Sequence, residues 1–514
     1  MKYLLPLGLA LLTLSANAAE PRTTAELYAQ HCASCHGAER LGGIGPALLP
    51  QNLSRVRKTE AVEVIARGRP ATQMAGFAKL LSEIEIKALA ELIYTEPAIT
   101  PSWGMNEIRA SHLQHAREKD LPDVPRYQAN MQNLFLVVEL GDHHITLLDG
   151  DKFAPIHRFP TRYALHGGPK YSPDGRFVYL SSRDGWVSKY DLYNLTLINE
   201  VRAGINSRNI AVSADGRYVM VANYLPHSLV LLDAVTLQPI NLWDTVGKDG
   251  TSSRVSAVYT APPRQSFIAA LKDIPEVWEI NYADRPPPGF GGWVHDFHKE
   301  QSDEVVRPFP LRRMSTEGYL DDFFFDHEYE HLIGASRDGG GQVLDLYIGR
   351  KIANLDLPGM PHLGSGITFE HQGREVLATP NIKESAVSII DLKTWETIKR
   401  IDTLGPGFFM RSHDNTPYAW VDVFFGPHKD VMHVIDKRSL EIIKTLKPAP
   451  GKTAAHVEFT NDGRYALVSI WEMDGALVIY NAATLEEVKR LPMKKPSGKY
   501  NVHNKTTYSR GTSR

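Results

Sequence analysis

Two cysteines and one histidine form the short segment of this 514-residue chain with the clearest chemistry. Two residues separate Cys32 from Cys35, and His36 follows directly. At this spacing two thiols can add across the vinyl groups of a haem while the adjacent imidazole ligates its iron, the signature of covalent c-type haem attachment. The chain has 2 cysteines, so no second pair is available to complete a zinc site. We therefore expect one covalent haem c on Cys32 and Cys35, with His36 as an iron ligand.

The residues around this motif predict a small all-α domain over residues 20–96, which resembles a class I cytochrome c. We expect one helix from Thr23 to His31, and a capping box at Ser82-Glu83-Ile84-Glu85 that starts another. Met74, whose thioether lies in a Gly- and Pro-containing segment before the second helix, is the predicted sixth iron ligand. The alternative is that Met74 only packs and that His112 or His115 ligates.

The first residues predict export. Lys2 precedes an apolar run from Leu4 to Leu14, and Ala16-Asn17-Ala18 has the small residues of a cleavage site. We expect a signal peptide over residues 1–18 and a bacterial periplasm, where covalent haem is assembled. No later segment has about 18 consecutive apolar residues, so no membrane span is expected. The formal net charge of −2 gives no global basic field for nucleic acid.

The rest of the chain is a repeat array. An apolar run ending in Asp or Asn recurs eight times, and the intervals between these positions are 42, 42, 48, 64, 46, 45 and 45 residues. The recurring positions are Asp149, Asp191, Asp233, Asn281, Asp345, Asp391, Asp436 and Asn481. Asp-Gly hairpin turns lie between three of them, beginning at Ser172, Ser213 and Thr460. A period of about 45 residues with several strands per unit is typical of a β-propeller.

We therefore predict a small all-α cytochrome c domain followed by an all-β eight-bladed propeller over residues 127–514. The segment 97–126 is predicted to be a linker with a short helix from Met105 to about Lys119. The one long interval contains Pro286-Pro-Pro-Gly-Phe-Gly-Gly-Trp293, which we interpret as an inserted loop.

Several loop residues could converge on the central cavity of such a propeller. Among the 20 histidines, His166 lies just before a predicted strand and His362 lies in a Gly- and Pro-rich loop. Arg183, Arg208 and Arg411 occur at comparable points of their repeats. Guanidinium groups pair with carboxylates in a bidentate way, so these arginines would suit a ligand with several carboxylates. The alternative is that they form salt bridges between blades.

In its domain order and in the segments described next, the chain resembles the cytochrome cd1 nitrite reductase family, whose propeller holds non-covalent haem d1. The segment Thr161-Arg-Tyr-Ala-Leu-His166 is similar to the family segment with the proximal haem d1 ligand, which implies that His166 ligates the iron. The resemblance also implies that Arg183 and Arg208 contact the haem d1 carboxylates and that Tyr224, in Ala222-Asn-Tyr-Leu-Pro226, lines the pocket. Further matching positions are Pro361-His362, at a distal histidine, and the C-terminal segment Gly498-Lys-Tyr-Asn-Val-His-Asn504.

One position departs from the reductases. The second distal histidine, which helps to protonate nitrite, is replaced in our alignment by Asp321, although a shifted alignment would bring in His327 or His331 instead. The chain is more similar to a branch of the family, the dihydro-haem d1 dehydrogenases. That similarity implies oxidation of one propionate of dihydro-haem d1 to an acrylate, with electrons passing to haem c. The expected base is His362, followed by Asp321 and His413.

Three hypotheses stay open from the sequence. They are a periplasmic dihydro-haem d1 dehydrogenase, a cytochrome cd1-type nitrite reductase, and a non-enzymatic haem d1 carrier. The expected partners are the tetrapyrrole, an electron acceptor protein and, transiently, a cytochrome cd1 nitrite reductase.

Overall fold

The computed structural model describes residues 22–43, 45–54, 56–69, 74–285, 308–336 and 339–507. The predicted signal peptide and the predicted inserted loop at Pro286–Trp293 lie outside the described residues. Within those residues, no helix has the length and apolar character needed to cross a membrane.

Five helices form the N-terminal part: α1 (Thr24–His31), α2 (Ala33–His36), α3 (Pro50–Leu53), α4 (Lys58–Arg67) and α5 (Glu83–Ile93). Thr23 and Ser82 are the N-caps of α1 and α5, and each completes a capping box with a glutamate three residues later. These boxes satisfy backbone N–H groups that the first helical turn leaves unpaired. Apolar faces of α1, α4 and α5 pack into one core, which includes Leu27, Ile65 and Leu89. The two helices predicted from sequence are therefore present.

The helix of the linker is shorter than predicted. It covers α6 (Met105–Ala110) and ends at Ser111, and strand β1 (Leu113–Gln114) follows. Strand β1 pairs with an outer strand of the propeller at Glu200 and Asn199, and the backbone N–H of His115 donates to the carbonyl of Ile198 at 2.8 Å. The prediction of a helix to about Lys119 was wrong because the open edge of the sheet, rather than the preceding helical turn, accepts these N–H groups.

Eight antiparallel sheets follow, each with four strands in the order of a propeller blade, and β1 adds a fifth strand to one of them. The strands are β2 (Leu134–Glu139), β3 (His144–Asp149) and β4 (Ala154–Pro160); β5 (Lys170–Tyr171), β6 (Phe177–Ser181), β7 (Trp186–Asp191) and β8 (Thr196–Arg202); β9 (Asn206–Val212), β10 (Tyr218–Leu225), β11 (Ser228–Asp233) and β12 (Pro239–Asp244); β13 (Val255–Ala261), β14 (Ser266–Leu271), β15 (Glu276–Asn281) and β16 (Leu311–Ser315); β17 (Asp322–Phe325), β18 (His331–Ala335), β19 (Gly341–Asp345) and β20 (Arg350–Leu355); β21 (Ile367–His371), β22 (Arg374–Pro380), β23 (Ala386–Asp391) and β24 (Thr397–Asp402); β25 (Met410–Ser412), β26 (Tyr418–Asp422), β27 (Met432–Asp436) and β28 (Glu441–Leu446); β29 (Ala454–Phe459), β30 (Tyr465–Ile470), β31 (Gly475–Asn481) and β32 (Glu487–Met493); and β33 (Pro496–Asn501). The prediction of an eight-bladed propeller after an α-helical cytochrome domain is confirmed.

The repeated Asp or Asn ends the third strand of every blade. Its side-chain oxygen accepts backbone N–H groups of the following turn; in Asp233, for example, Oδ1 accepts from Val235 at 3.1 Å and from Thr236 at 2.7 Å. An Asp or Asn side chain that bonds the backbone two residues later forms an Asx turn, which explains why these residue types recur.

The ring is closed by strands from the two ends of the propeller. Strand β33 pairs with β2, with Phe135 opposite Asn501, and α7 (Val502–Thr506) follows. Asn501 Nδ2 also donates to Asn133 Oδ1 at 3.0 Å. Apolar clusters lie between adjacent blades, and the inner strands β5, β9, β13, β17, β21, β25, β29 and β33 face the centre. This geometry brings loops that are distant in sequence to one end of a shared cavity.

Candidate functional site

The Cys-x-x-Cys-His segment lies against a large cavity in the helical domain. This cavity has a volume of about 770 Å³ and is lined by Cys32, Cys35 and His36 together with apolar side chains of α1, α4 and α5. His36 Nδ1 lies 2.8 Å from the carbonyl oxygen of Pro46, which leaves Nε2 as the nitrogen for a metal. A Cβ on Gly45 would lie 2.7 Å from the His36 ring, so only glycine allows the loop to approach this closely. Two thiols, an oriented imidazole and an apolar cradle fit a covalent haem c.

Met74, whose side chain carries a thioether, also lines this cavity. The alternatives lie elsewhere: His112 Nε2 is 2.7 Å from the Thr236 carbonyl oxygen, and His115 Nε2 is 3.1 Å from Glu200 Oε2. Both contacts are with the outer part of the propeller. The position of Met74 therefore supports it as the sixth ligand.

The propeller completes the wall of the haem c cavity. Tyr163, Arg183 and Tyr224 line it from the propeller side, opposite the Cys-x-x-Cys-His segment. The backbone of Arg183 is fixed, because its N–H donates to the Ala164 carbonyl at 3.1 Å and its own carbonyl accepts from Ser207 at 3.1 Å. Two residues predicted to contact the tetrapyrrole, Arg183 and Tyr224, thus also border the predicted haem c site.

The cytochrome domain is docked on the propeller of its own chain. The guanidinium of Arg202 donates to the carbonyl oxygens of Leu41 and Asp184, and Asn52 Nδ2 donates to the Ile205 carbonyl at 3.1 Å. An apolar cluster joins the two parts beside these contacts; its buried members are Ala47, Leu49, Ile205 and Leu225. The path from the propeller to haem c therefore lies within one chain.

His166 lies just before inner strand β5, near the centre of the propeller. Its Nδ1 is 2.5 Å from the carbonyl oxygen of Arg208, and its Nε2 is 3.0 Å from Arg208 Nη1. The backbone contact makes Nδ1 the protonated nitrogen, so the lone pair of Nε2 accepts from Arg208 Nη1. Arg208 is fixed in turn by a hydrogen bond from Nε to the Ser256 carbonyl at 2.9 Å. The pair places an imidazole nitrogen next to a cation.

His362 is on a loop at the same end of the inner strands. Its Nδ1 lies 2.6 Å from the Phe408 carbonyl oxygen, its ring stacks on that of Phe408 with centroids 4.1 Å apart, and its Nε2 is 3.9 Å from Asp322 Oδ2. Burial lowers the pKa of His362. The imidazole is therefore neutral at neutral pH and can accept a proton at Nε2.

Asp321 and Asp322 are neighbours in sequence but have different partners in the structure. Asp321 forms an ion pair with Lys272. Asp322 instead faces His362 and accepts hydrogen bonds from the backbone N–H of Gly364 at 2.6 Å and of Phe323 at 3.0 Å. His331, one of the alternatives for the distal position, is bound to Asp326 at 2.6 Å, at the far end of β17 from Asp322. Asp322 is thus the carboxylate beside His362, a role that sequence reasoning did not assign.

Arg411 lies on inner strand β25 and is 3% exposed. Its Nη1 donates to the Met410 carbonyl at 2.7 Å, and its buried Nε has no hydrogen-bond partner among the described residues. A buried donor without a partner is costly, and a ligand carboxylate would satisfy it. His413 is at the other end of β25, where its Nδ1 accepts from the Asn415 N–H at 3.1 Å, so the structure does not bring it together with His362.

Sequence reasoning missed His456, a third imidazole of the inner strands and their loops after those of His166 and His362. His456 is 2% exposed, its Nδ1 has no hydrogen-bond partner among the described residues, and its ring lies 4.7 Å from Phe409 and 5.4 Å from Tyr500. The Phe409 ring is also 6.1 Å from that of His362, so one aromatic ring neighbours both imidazoles. His456 is the extra residue of a bulge in β29, with a φ of 53°. The alternation of residues in a strand gives no signal for such a bulge, although the nearby Asp-Gly turn marks the blade.

Lys170 was also missed. Burial and the nearby charge of Arg411 lower its pKa to about 8, and its Nζ lies 5.9 Å from the centre of the Tyr259 ring. With Arg208 and Arg411 it makes the central site cationic, as a ligand with several carboxylates requires.

Fold and site together define a c-type cytochrome joined to an eight-bladed propeller whose centre has an oriented imidazole and several cations. The family model for the Cytochrome D1 heme domain matches residues 129–291 and 293–505, and that for Cytochrome C oxidase, cbb3-type, subunit III matches residues 19–93. The chain therefore belongs to the cytochrome d1 heme domain family.

Individual relatives agree with this assignment. The chain is 56% identical to the dihydro-heme d1 dehydrogenase of Pseudomonas aeruginosa strain PAO1 over 488 residues, 95% of each protein. It is 24% identical to a nitrite reductase of Stutzerimonas stutzeri over 97% of this chain and 96% of the relative. The solved structure of the dihydro-heme d1 dehydrogenase NirN in complex with DHE superimposes with a TM-score of 0.88 at 55% identity, covering 94% of this chain and 100% of that chain.

Proposed function

We propose that this protein is a dihydro-haem d1 dehydrogenase that oxidises a propionate side chain of its tetrapyrrole substrate to an acrylate, in the last step of haem d1 biosynthesis. The observation that carries the proposal is 56% identity to a dihydro-heme d1 dehydrogenase along 95% of both proteins. The cationic central site with its oriented histidines supports the same conclusion.

The reaction removes two electrons and two protons. One C–H bond breaks on each of the two methylene carbons of the propionate, and a carbon–carbon double bond forms between them. The protein must therefore hold the correct side chain, accept protons from it and lead electrons away.

Three groups of residues hold the substrate in this proposal. His166 Nε2 ligates the substrate iron, because the contact of Nδ1 with the Arg208 carbonyl fixes its tautomer. Arg183, Arg208 and Arg411 bind the carboxylates, for which the unpartnered Nε of Arg411 is suited. Tyr224 lines the side of the pocket towards the haem c cavity.

Proton removal is assigned to the two imidazoles on the Phe408–Phe409 side of the cavity. His362 is our first candidate, because burial lowers its pKa and the Phe408 carbonyl orients its ring. His456 is the second candidate, because its buried Nδ1 has no hydrogen-bond partner among the described residues. The ion pair with Lys272 makes Asp321 a poor base, and the place of His413 at the far end of β25 argues against it as well.

Electrons leave through the cytochrome domain. Haem c, held by Cys32, Cys35, His36 and Met74, supplies a one-electron acceptor next to the propeller. Since each substrate yields two electrons, an external electron acceptor protein must take them from the domain. We place the reaction in the periplasm, with the product passed to a cytochrome cd1 nitrite reductase in a transient complex.

The proposal is tested by adding dihydro-haem d1 to the oxidised holoprotein without oxygen or any other acceptor. The expected result is reduction of haem c, with up to two haem c reduced per pigment when protein is in excess. Binding of the pigment without reduction of haem c would contradict the proposal and favour a carrier. Rapid nitrite turnover with mature haem d1 would favour a reductase instead.

A further inference from the structure

One buried carboxylate connects the two candidate bases. Asp422, the last residue of β26, is 0% exposed. Its Oδ1 accepts from the backbone N–H of Phe408 at 2.7 Å and of Phe409 at 3.0 Å, and its Oδ2 accepts from that of His456 at 3.1 Å. Its own N–H donates to the Phe409 carbonyl at 3.2 Å. A single side chain thus fixes two segments from neighbouring blades.

Each of these segments positions an imidazole. The Phe408 carbonyl oxygen lies 2.6 Å from Nδ1 of His362, so the loop that Asp422 holds sets the orientation of that ring. The second segment is the bulge residue His456, with a φ of 53°. A non-glycine residue in the left-handed region is strained and persists only where its surroundings impose it.

A buried lysine binds the carbonyl oxygen of His456. Lys499 is 0% exposed, and its Nζ donates to the His456 carbonyl oxygen and to Ser469 Oγ at 2.8 Å. Asp422 therefore accepts from the N–H of His456, and Lys499 donates to its carbonyl oxygen. Burial raises the pKa of Asp422 to about 6, so at neutral pH the carboxylate is ionised and accepts at both oxygens.

We propose that Asp422 is a positioning residue for the dehydrogenation, because it holds both the loop that orients His362 and the bulge that carries His456. This inference rests on the proposed function and deepens it. Positioning errors of about 1 Å far from the reacting atoms can cost about 100-fold in rate. We therefore expect loss of a buried carboxylate that positions two bases to lower the reaction rate more than the affinity for the substrate.

The test is Asp422→Asn in the full-length holoprotein. An amide has one acceptor oxygen, so its NH2 group must face either the Phe408 and Phe409 N–H groups or that of His456, and one of the two attachments is lost. We expect kcat to fall about 10–100-fold with tetrapyrrole affinity unchanged. Asp191→Asn is the control, since Asp191 is also 0% exposed, accepts from the backbone N–H groups of Tyr193 and Asn194 and pairs with Arg176 at the end of β7. It should retain wild-type kcat.

A double-mutant cycle separates positioning from general stability. If Asp422 acts through His456, Asp422→Asn should lower kcat much less in a His456→Ala background than in the wild type. Equal effects in the two backgrounds, or wild-type kcat in Asp422→Asn, would overturn the proposal. Asp422→Glu keeps the charge but moves the carboxylate by one methylene, and it serves as a second variant if the first does not fold.

Hydrogen exchange gives a readout that does not depend on turnover. The peptides with Phe408 and His456 should exchange faster in Asp422→Asn than in the wild type, while those near Asp191 should not change. Unchanged exchange in both segments would overturn the proposal even if the wild type proved inactive. A wild type without turnover would instead contradict the proposed function.

Discussion

At the residue scale, the chemistry divides into groups that the sequence reveals and groups that only the fold reveals. The spacing of Cys32, Cys35 and His36 is diagnostic because the bonds are local. His166 and His362 stood out by their loop positions, but their roles could be assigned only by resemblance, because their partners are carbonyls more than 40 residues away. His456 could not be predicted at all, since a bulge with positive φ leaves no pattern in the residues around it.

Met74→Ala should change the haem c spectrum and lower its reduction potential, because the variant removes the thioether that lines the cavity. Binding of tetrapyrrole by the propeller should not change. Visible spectroscopy and a redox titration check this. His115→Ala is the control, since His115 contacts Glu200 on the propeller, and a spectrum altered in that variant but not in Met74→Ala would contradict the assignment.

His362→Ala should slow dehydrogenation about 10²–10⁴-fold, the usual range for loss of a positioned acid or base. The pigment should stay bound through His166 and the arginines. Because burial lowers the pKa of His362, protonation of this imidazole should slow the wild-type reaction only in acid below the usual histidine range, in addition to the fall near pH 6 that protonation of Asp422 produces. Single-turnover kinetics across pH measure both effects, and full activity in His362→Ala would refute the role.

At the element scale, most of the propeller could be predicted because one type of turn repeats in every blade. An Asp or Asn after the third strand forms the same turn in each blade, and its period reveals the array. The linker could not be predicted as well. A short helical pattern does not show that the next residues will pair with the edge of a distant strand, as Leu113 and Gln114 do.

Acid should weaken the packing between blades through His433. This histidine in β27 is buried, accepts from the Leu404 N–H at 3.2 Å, and has its pKa lowered to about 4 by burial. Between its unfolded pKa of about 6.5 and about 4 the unfolded chain binds the extra proton, so the free energy of unfolding decreases as pH falls, by about 3 kcal/mol from this group.

Denaturant titrations at several pH values measure this loss. His433→Gln keeps an acceptor for Leu404 but does not titrate, so its free energy of unfolding should depend less on pH over the same range. An identical pH dependence in the wild type and the variant would exclude His433 as the source.

At the scale of the whole molecule, the two domains form one electron-transfer unit. The cavity of the cytochrome domain is also lined by Tyr163, Arg183 and Tyr224 of the propeller, so the proposed substrate site and the proposed haem c site share a wall. Sequence alone left open whether the cytochrome domain docks on its own propeller. The contacts that decide this are between side chains and backbone carbonyls, such as Asn52 with Ile205, and such contacts have no sequence signature.

Arg202→Met should slow the reduction of haem c by bound substrate several-fold. The variant removes the guanidinium that donates to the Leu41 and Asp184 carbonyls and lies over the Trp103 ring, but keeps an unbranched apolar side chain. Stopped-flow spectroscopy measures the rate, and substrate affinity should not change. Arg217→Met is the control, since Arg217 pairs with Asp215 and Asp284 away from the domain contact; equal rates in all three proteins would contradict a role for this contact.

The central claim is that the propeller changes its tetrapyrrole chemically. Its most direct test is anaerobic incubation of the oxidised holoprotein with dihydro-haem d1 and an electron acceptor, followed by extraction of the non-covalent pigment and mass spectrometry. The account predicts that the pigment loses the mass of two hydrogen atoms and acquires the spectrum of haem d1, and that His362→Ala largely abolishes this change. Pigment recovered with unchanged mass from the wild type, although fully bound, would contradict it.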